Sequence, residues 1–367
     1  MLNGRSRGVL PIGERPADPS QWVASEGPAQ IPPDTAAIEW SRLSRSERKP
    51  ASFAIDTEFR LVWDELTRRC DVYRYAHDCG LIVFKAEAML YPERVLRAIS
   101  LCIDQGYDAI FCRAVRFDAA RKSLLWRYQF NRATPSRLRA MLCLGGEERC
   151  LVLILRARAP DRVPVAVRLA MLKGSGLKAQ RDPRTLRGIF EPPNPLINFV
   201  HASDEPIDFL RETGVLLSYD ERRRLYRTCE ALPVDAALAI AADACAASRG
   251  LATLPDPQAA LAELRTASLE ALGHGNPIAA YVDRLARHSE YMDLEKMLEL
   301  LETHAVTVDP AALLVAACHT MIKTYDGMAE RAEKVPVQRW GVEDLASPRG
   351  GAEGGPPPDR GPPRANS

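Results

Sequence analysis

The spacing of hydrophobic and polar positions changes near residue 219, and this change divides the chain into two parts. Between residues 79 and 218, short continuous apolar runs alternate with segments whose apolar residues recur every three or four positions. The first pattern is typical of buried strands, and the second is typical of helices that pack on one side. After Tyr219 the strand-like runs almost disappear, and Ala, Leu, Glu and Arg dominate. The pattern predicts an α/β region followed by a helical region.

In the α/β region the pattern predicts four strands and four helices. The predicted strands are 81–85, 107–117, 150–155 and 197–200. The predicted helices are one from Pro92 to Gly106, one from Pro135 to Gly145-Gly146, 163–172 and 205–212. The stretch 173–195 carries Gly, Pro and charged residues and is predicted to be irregular. Without the helix from Pro135 and the closing helix 205–212, the order is βαββαβ. With helices on one face of an antiparallel sheet this is the ferredoxin-like arrangement, so the predicted fold class is α+β.

The helical region is predicted to contain up to six helices, separated by prolines. They are expected near 220–230, 233–249, 257–273, 276–288, 291–304 and 309–332. Proline-led boundaries such as Asn276-Pro277 and Asp309-Pro310 are typical helix starts. This region is either a small all-α domain or a helical extension that packs on the α/β region.

The two ends of the chain differ in composition from its interior. Residues 1–50 and 346–367 are rich in Pro, Gly and Ser without periodicity, and both are predicted to be disordered. Residues 51–78 show helical spacing and are predicted to form a helical lead-in. The chain is therefore divided further into an α/β domain, 79–218, and an all-helical region, 219–335.

The composition allows a large hydrophobic core, and the charge balance indicates which classes of binding partner are favoured. Of the 367 residues, 46% are apolar, and 49 Lys+Arg balance 48 Asp+Glu, so no basic excess favours nucleic acid. Arg and Lys are nonetheless dense between residues 113 and 187, which suits a polyphosphate ligand. The nine cysteines lack CxxC or zinc spacing, which is typical of a reducing compartment such as the cytoplasm. The sequence predicts no signal peptide and no membrane segment.

The residues with the most chemical information surround His201. The apolar run 196–200 precedes it and is predicted to be a strand, whereas Ser203 and Pro206 behind it are typical of a helix start. His201 is therefore expected at a strand end that faces a helix N-terminus. Main-chain N–H groups and the helix dipole favour an anion at such a place.

The surroundings of His201 suit phosphoryl transfer. Arg184 and Arg187 lie upstream, and Glu212 follows eleven residues after the histidine, where it can orient the ring. A neutral imidazole, anion-binding donors and an orienting acid are what transfer through a phosphohistidine requires. The alternative is that His201 is a structural residue beside a strand, which is the usual role of a single histidine.

Residues 79 to 215 resemble the nucleoside diphosphate kinase family, most closely at 184–212. The resemblance is carried by Asn-x-x-His-x-Ser-Asp at 198–204, with Leu-Arg-Gly at 186–188 before it and Glu212 behind it. Members of that family have a ferredoxin-like fold and pass the γ-phosphate of a nucleoside triphosphate to a nucleoside diphosphate through a histidine. The resemblance therefore implies the same activity for this chain.

The resemblance also implies roles for nine residues. His201 would be the nucleophile, with Glu212 and Ser203 beside it. The implied nucleotide- and phosphate-binding residues are Lys85, Tyr128, Arg168, Ser175, Arg187 and Asn198. Mg²⁺ would bridge the β- and γ-phosphates and be held mostly by the nucleotide. A homo-oligomer is implied as well.

Three departures from the family pattern mark a divergent member. Ala202 stands where the family has glycine after the histidine, and Ala86-Glu87-Ala88 replaces Pro-Asp-Gly after the lysine. The nucleotide loop lacks Thr-Asn-Pro and carries Lys178, Arg181 and Arg184 instead. The alternative function is a nucleotide-sensing regulatory or binding module, with the helical region as the surface for an unknown protein partner. The presence of the nucleophile favours the enzyme, since a pure binding module does not need one.

Overall fold

The computed structural model describes residues 40–143, 149–248 and 254–341. Within these residues the chain forms sixteen α-helices and one four-stranded antiparallel sheet, so the predicted α+β class is confirmed. The strands are β1 (Cys79–Phe84), β2 (Tyr107–Arg116), β3 (Arg149–Ala157) and β4 (Val200–Ala202). The helices α1 to α10 are Lys49–Ala54, Thr57–Thr67, Val72–Asp78, Pro92–Asp104, Ala119–Leu125, Arg127–Phe130, Pro135–Cys143, Val165–Lys173, Leu186–Phe190 and Pro206–Leu216. The helices α11 to α16 are Tyr219–Thr228, Val234–Ala246, Pro257–Leu272, Pro277–Ala286, Leu294–Thr303 and Pro310–Thr320.

The sheet has the strand order β2-β3-β1-β4, and each neighbouring pair is antiparallel. Every residue of the inner strand β1 is buried. Leu81 and Val83 belong to one hydrophobic cluster, and Ile82 and Phe84 belong to another, because successive side chains of a strand point to opposite faces. Both faces are therefore covered, and the expectation of helices on one face only is wrong.

Different helices cover the two faces. Apolar residues of α4, α8 and α9 pack with Ile82 and Phe84, whereas those of α2, α3 and α10 pack with Leu81 and Val83. The three helices of the second group come from the lead-in and from the segment after His201. Their burial fixes the position of α10 behind β4, which carries the histidine.

The C-terminal helices continue the core of the α/β region. Ala237, Tyr281 and Val315 belong to the same cluster as Ile82 and Phe84. The C-terminal helices therefore share a hydrophobic core with the α/β region. The last predicted helix was expected to reach residue 332, but α16 ends at Thr320. The chain beyond it leaves the helix and pairs with residues just before α7.

The N-terminal part of the described chain joins the core earlier than predicted. Trp40 and Leu43 are each 2% exposed, so the expectation of disorder up to residue 50 is wrong for residues 40–50. The helical lead-in is confirmed by α1, α2 and α3. The other residues predicted to be disordered, 1–39 and 346–367, lie outside the described residues.

The expectations from the sequence about membrane segments and about the cysteines can be compared with the described residues. Among these residues, no helix is long and apolar enough to cross a membrane. The eight cysteines whose side chains are described are all free thiols. Most are buried, and burial raises the pKa of Cys102, Cys112 and Cys318 to about 12, so these thiols are poor nucleophiles.

A buried ionic cluster ties both ends of the described chain to the start of α10. Lys49 Nζ lies 2.9 Å from Glu205 Oε2 and 2.5 Å from Asp208 Oδ2. Ser44 Oγ and Trp340 Nε1 also donate hydrogen bonds to Glu205. Several carboxylates thus share one ammonium group in a place with little water.

This cluster predicts an unusual dependence of stability on pH. Burial raises the pKa of Asp208 to about 7, and the carboxylates of Glu205 and Glu212 add to the rise, whereas Lys49 opposes it. At pH values between the ordinary pKa of an aspartate and about 7, the Asp208 carboxyl keeps its proton in the folded state but has lost it in the unfolded state. The free energy of unfolding should therefore fall with rising pH by up to about 1.4 kcal/mol per pH unit relative to Asp208→Asn. Urea unfolding of both proteins from pH about 4 to about 7 measures this difference. A difference independent of pH would contradict the assignment.

Candidate functional site

A cavity that is partly open to solvent lies beside β4, and four of the nine predicted residues line it. They are Lys85, Arg187, Asn198 and His201. Its volume is about 180 Å³, which is smaller than the roughly 300–1,000 Å³ that is usual for small-molecule sites. The rest of the lining includes Asp204 and residues of α5 to α7 and their links, namely Trp126, Gln129, Phe130, Arg137 and Met141.

His201 is the central residue of β4 and pairs with Val83 of β1. The strand was expected at 197–200, so the prediction that His201 ends a strand is wrong. The side chain of Asn194 accepts hydrogen bonds from the N–H groups of Leu196 and Ile197, which draws these groups into a turn instead of a sheet. Phe199 then adopts a left-handed backbone with φ of 61°, and the extended strand starts only after it.

The left-handed Phe199 is a local strain next to the histidine. A bulky residue in this region costs about 1–3 kcal/mol and persists only where the surrounding structure enforces it. The Phe199 ring is held between Phe190 and Tyr91, at centroid distances of 5.4 and 5.5 Å. This turn also places Asn198 in the cavity, where its Nδ2 donates to Pro195 O at 3.0 Å.

Ser203, Glu212 and His201 form a chain of polar contacts behind the cavity. Ser203 Oγ donates to Glu212 Oε2 at 2.6 Å, and His201 Nε2 lies 3.0 Å from the same oxygen. At Nε2 the geometry is not that of an aligned hydrogen bond to any acceptor among the described residues, although Glu212 is the acid nearest to it. Ser203 is fully buried and the Glu212 side chain is 8% exposed, which keeps the carboxylate in place.

This contact selects one ring nitrogen for chemistry. A carboxylate 3.0 Å from Nε2 favours the tautomer with its proton on that nitrogen, which leaves the lone pair of the ring on Nδ1 for a ligand in the cavity. The Trp126 ring meets the imidazole edge to face at a centroid distance of 6.1 Å and limits its rotation. The His201 side chain is 15% exposed, so it can still be reached from the cavity.

Ala202 fits the position where the resembling family has glycine. Its side chain is fully buried, and it is not among the residues with positive φ. A Cβ atom therefore adds no backbone strain at this position. This departure from the family pattern leaves the strand that carries His201 undisturbed.

Arg187 reaches the cavity from the short helix α9. Thr185 caps this helix, since its Oγ1 accepts a hydrogen bond from Gly188 N at 3.1 Å. A Cβ atom at Gly188 would lie 2.0 Å from Asp182 O, so only glycine allows this tight approach of the two segments. The Arg-Gly pair seen in the sequence thus sets the direction from which Arg187 enters the site.

The guanidinium of Arg187 carries a charge that no acid pairs with among the described residues. Its Nη1 donates to Gly174 O at 3.2 Å and its Nη2 donates to Val200 O at 3.0 Å, while its buried Nε has no partner. Burial lowers the pKa of Arg187 to about 10, and the carboxylate of Asp204 opposes the shift only in part. A desolvated cation of this kind is a binding position for an anion.

Asp204 is the carboxylate that lines the cavity, but it is already paired. Lys173 Nζ lies 3.0 Å from Asp204 Oδ1 and donates to Ala202 O at 3.1 Å. Burial alone would raise the pKa of Asp204, yet the ammonium groups of Lys173, Lys334 and Lys49 hold it well below its ordinary value. The aspartate is charged, and Lys173 is the ammonium group that contributes most to balancing its charge.

Lys85 stands where β1 ends and is paired with Glu87. Its Nζ lies 2.6 Å from Glu87 Oε1, although the geometry at that oxygen is not that of an aligned hydrogen bond. Nζ also donates to Leu196 O at 3.2 Å, and both charged side chains are 6% exposed. Glu87 belongs to the segment that departs from the family pattern. It partly neutralises the lysine that the resemblance assigns to phosphate.

Glu87→Gln is expected to strengthen nucleotide binding while it destabilises the protein. Without its counter-charge, Lys85 is free to interact with phosphate, and affinity for a nucleoside diphosphate should rise about tenfold, roughly 1.4 kcal/mol. The unpaired buried ammonium should lower the free energy of unfolding by about 1–3 kcal/mol. Titration calorimetry and urea unfolding measure the two effects. The control is Glu93→Gln at an exposed position of α4. An unchanged affinity in Glu87→Gln would show that Lys85 does not meet the phosphates.

Tyr128 lies outside the cavity, in contrast to the expectation. Its hydroxyl donates to Asp56 Oδ2 at 2.9 Å and contacts Ser52 O at 3.1 Å. The guanidinium of Arg211 lies over its ring at 4.9 Å. The physical reason is that the lead-in helices offer this tyrosine a buried acid, which was not apparent from its place in the sequence.

Arg168 and Ser175 also lie outside the cavity. Arg168 Nη1 is 3.4 Å from Asp161 Oδ2, so the arginine forms an ion pair with an acid that lies just before its own helix, α8. Ser175 Oγ donates to Gln180 Oε1 at 3.2 Å within the loop after α8. Because this loop differs in length from the family loop, spacing along the chain did not locate Ser175, whereas Arg168 precedes the loop and is drawn to Asp161 instead. The structure therefore supports six of the nine predicted residues as neighbours at one place, and not these three.

Arg137, Trp126 and Asp204 line the cavity but were not predicted. No motif surrounds Arg137; the only signal was the density of Arg and Lys between 113 and 187. Trp126 belongs to the helical segment 119–130, which was not predicted either. The approach of Arg137 and Trp126 to His201 depends on contacts between segments that are distant in sequence, whereas Asp204 is close to His201 along the chain.

The described residues contain no group of three or more His, Cys, Asp or Glu side chains that could hold a metal ion. The expected Mg²⁺, which would come with the nucleotide, stays a prediction. No protein-family model matches the chain, and no curated protein matches it significantly. The resemblance to nucleoside diphosphate kinases thus depends on the residues and on the geometry described above.

Proposed function

We propose that the chain is a nucleoside diphosphate kinase-like phosphotransferase that moves the γ-phosphate of a nucleoside triphosphate to a nucleoside diphosphate through His201. One observation carries the proposal. The imidazole that Glu212 orients faces the same cavity as Arg187, a guanidinium without an acidic partner among the described residues. A nucleophile beside an unused cation is the arrangement that phosphoryl transfer needs.

In the first half-reaction, Nδ1 of His201 attacks the γ-phosphorus. The N–P bond forms as the bond from phosphorus to the β,γ-bridging oxygen breaks, and the nucleoside diphosphate leaves with that electron pair. The ring gains positive charge as Nδ1 shares its lone pair. The Nε2–H group then donates more strongly to Glu212, which Ser203 holds in place, and the carboxylate stabilises the charged ring.

In the second half-reaction, a terminal oxygen of the acceptor diphosphate attacks the same phosphorus. The N–P bond breaks, its electron pair returns to Nδ1, and the new triphosphate leaves. Arg187 balances the charge of the transferring phosphoryl group in both directions, and one well-placed cation of this kind is worth about 10³-fold in rate or more. Asn198 positions the sugar or the loop. Mg²⁺ would be held mostly by the nucleotide and would neutralise part of the charge of its phosphates.

The topology supports the ferredoxin-like part of the proposal. The order β2-β3-β1-β4 with antiparallel neighbours is the order expected for a βαββαβ chain of that type, with α4 between β1 and β2 and α8 and α9 between β3 and β4. The helices α5 to α7 between β2 and β3 are an addition to that plan. The homo-oligomer and a protein partner of the C-terminal helices remain predictions from the resemblance.

A second candidate is a nucleotide-sensing module without transfer activity. The Lys85–Glu87 pair favours it, because part of the positive charge near the cavity is already neutralised. The position of Arg168 away from the cavity also removes one expected phosphate contact. A sensor needs binding and a change in stability, but not the His201 nucleophile.

A transfer assay with a panel of acceptors separates the two candidates. The full chain is incubated with Mg²⁺, a triphosphate labelled at the γ-position and one of several nucleoside diphosphates. The proposed enzyme forms a labelled triphosphate of each accepted acceptor. Nucleotide-dependent thermal stabilisation without any labelled product would instead favour the sensor.

A further inference from the structure

Arg137 is a second cation of the cavity without an acidic partner among the described residues. It lies in the first turns of α7 and lines the same cavity as His201 and Arg187. Its Nη1 donates to Lys323 O at 3.4 Å, and its buried Nε has no partner. Arg137 is thus held in the same way as Arg187, by a main-chain carbonyl instead of a carboxylate.

Other buried arginines of the chain are held differently. Arg211 Nε lies 2.8 Å from Asp56 Oδ2, and Arg222 Nη2 lies 2.6 Å from Glu65 Oε1. An acid neutralises the guanidinium that it orients, whereas a carbonyl orients it and leaves most of its charge available. Arg181 is also held by a carbonyl, that of Pro192, without an acid, but it does not line the cavity, whereas Arg137 and Arg187 combine this arrangement with a place in its lining.

The electrostatic surroundings of Arg137 favour an incoming anion. Burial lowers its pKa, and the neighbouring guanidinium of Arg132 lowers it further, with only weak opposition from Glu330. In the protein without a ligand, the positive charge of Arg137 is therefore energetically unfavourable. Phosphate oxygens would supply both the counter-charge and the acceptors that its Nε lacks.

The position of Arg137 depends on the segment that follows α16. Thr134 Oγ1 donates to Ile322 O at 2.6 Å, and Ala133 forms an isolated β-bridge with Thr324. These contacts lie immediately before α7, so they fix the start of the helix that carries Arg137. Thr134 also accepts a hydrogen bond from Arg137 N at 3.3 Å.

We propose that Arg137 is a phosphate-binding residue of this site, that it supplies the charge expected from Arg168, and that residues 322–324 position it. This inference rests on the proposed function and deepens it. Two guanidinium groups without acidic partners line one cavity, and a diphosphate can offer a separate phosphate to each of them. The chain should therefore bind a nucleoside diphosphate in strong preference to the monophosphate.

The test compares ADP and AMP as calorimetric probes, each with Mg²⁺, on the full chain. Arg137→Met is expected to weaken ADP binding about 10- to 100-fold, with a change for AMP below about threefold. Arg137→Lys should fall between these, because it keeps the charge and loses the fork of donors. The matched control is Arg139→Met on the same helix, since Arg139 is exposed and lies 2.5 Å from Glu295. It should bind ADP as the wild type does.

The proposed positioning of Arg137 by residues 322–324 is tested by a separate measurement. Thr134→Val removes the hydroxyl that reaches Ile322 and should reduce the ADP-over-AMP preference, whereas Thr134→Ser should restore it. A purely structural role would lower stability without changing that preference. Equal ADP binding by Arg137→Met and the wild type, or by Arg137→Lys and the wild type if the methionine variant does not fold, would overturn the assignment of Arg137. A wild type that binds no ADP at all would contradict the proposed function as well.

Discussion

His201→Ala should lose transfer of the γ-phosphate by about 10⁴-fold or more, because the residue that forms the covalent intermediate is gone. The cavity would keep Arg187, Lys85 and Asn198, so nucleotide binding should change much less than the rate. Since His201 is 15% exposed and contacts Glu212 at a single atom, its removal should leave the fold intact. The measurement is the steady-state rate of labelled triphosphate formation, together with nucleotide affinity from calorimetry.

A matched control separates loss of this histidine from loss of any histidine. His274 is exposed in the link between α13 and α14, and His274→Ala should transfer phosphate at the wild-type rate. If His201→Ala retained full transfer, the phosphohistidine mechanism would be excluded. A variant that lost binding and rate to the same extent would indicate that His201 acts in binding instead of as the nucleophile.

Arg187→Met should reduce transfer by about 10³-fold while leaving the free energy of unfolding nearly unchanged. The reason for the first effect is the lost charge next to the transferring group. The reason for the second is that the guanidinium has no acidic partner and carries a desolvated charge, so the protein loses only two hydrogen bonds to carbonyls. Activity and stability should therefore separate at this residue.

Two comparison variants make this separation visible. Arg211→Met leaves Asp56 as a fully buried carboxylate with fewer partners and should lower the free energy of unfolding by about 3–5 kcal/mol. Arg184→Met removes an exposed arginine that pairs with Asp182, and it should change neither rate nor stability. Wild-type rates in Arg187→Met would show that the cavity does not hold the transferring phosphate.

The strands β1, β2 and β3 were each predicted to within two residues at both ends, because their signal is local. β1 and β3 are dense apolar runs buried on both faces, and such runs have few alternatives. β4 was misplaced because the side chain of Asn194 and the left-handed Phe199 hold the apolar residues 196–199 in a turn. Neither effect leaves a trace in the hydrophobic pattern.

Contacts between distant segments account for the other differences in the fold. Trp40 follows a Pro- and Gly-rich stretch, and its burial depends on an aromatic cluster with Phe59 and Trp63. The helices on the second face of the sheet come from segments before β1 and after β4. The predicted order of strands and helices did not reveal that these segments share one face. Propensity and periodicity report on neighbours along the chain, not on such partners.

The difference between local signals and contacts of distant segments also explains which residues of the candidate site could be predicted. Residues of the compact motif that ends at Glu212 come together because strand, turn and helix place them within a short stretch of chain. Tyr128, Arg168 and Ser175 were located by distance along the chain, and each found a nearer partner. Glu87 and Arg137 alter the charge of the cavity through contacts that spacing did not predict.

The most direct test of the central claim is the detection of a phosphate on His201. The full chain is incubated with Mg²⁺ and a γ-³²P-labelled nucleoside triphosphate, and the protein is then digested and the labelled peptide sequenced by mass spectrometry. The account predicts a label on His201 that is acid-labile and base-stable and that passes to added nucleoside diphosphate. A protein that binds the nucleotide but carries no label, or carries it on another residue, would contradict the account.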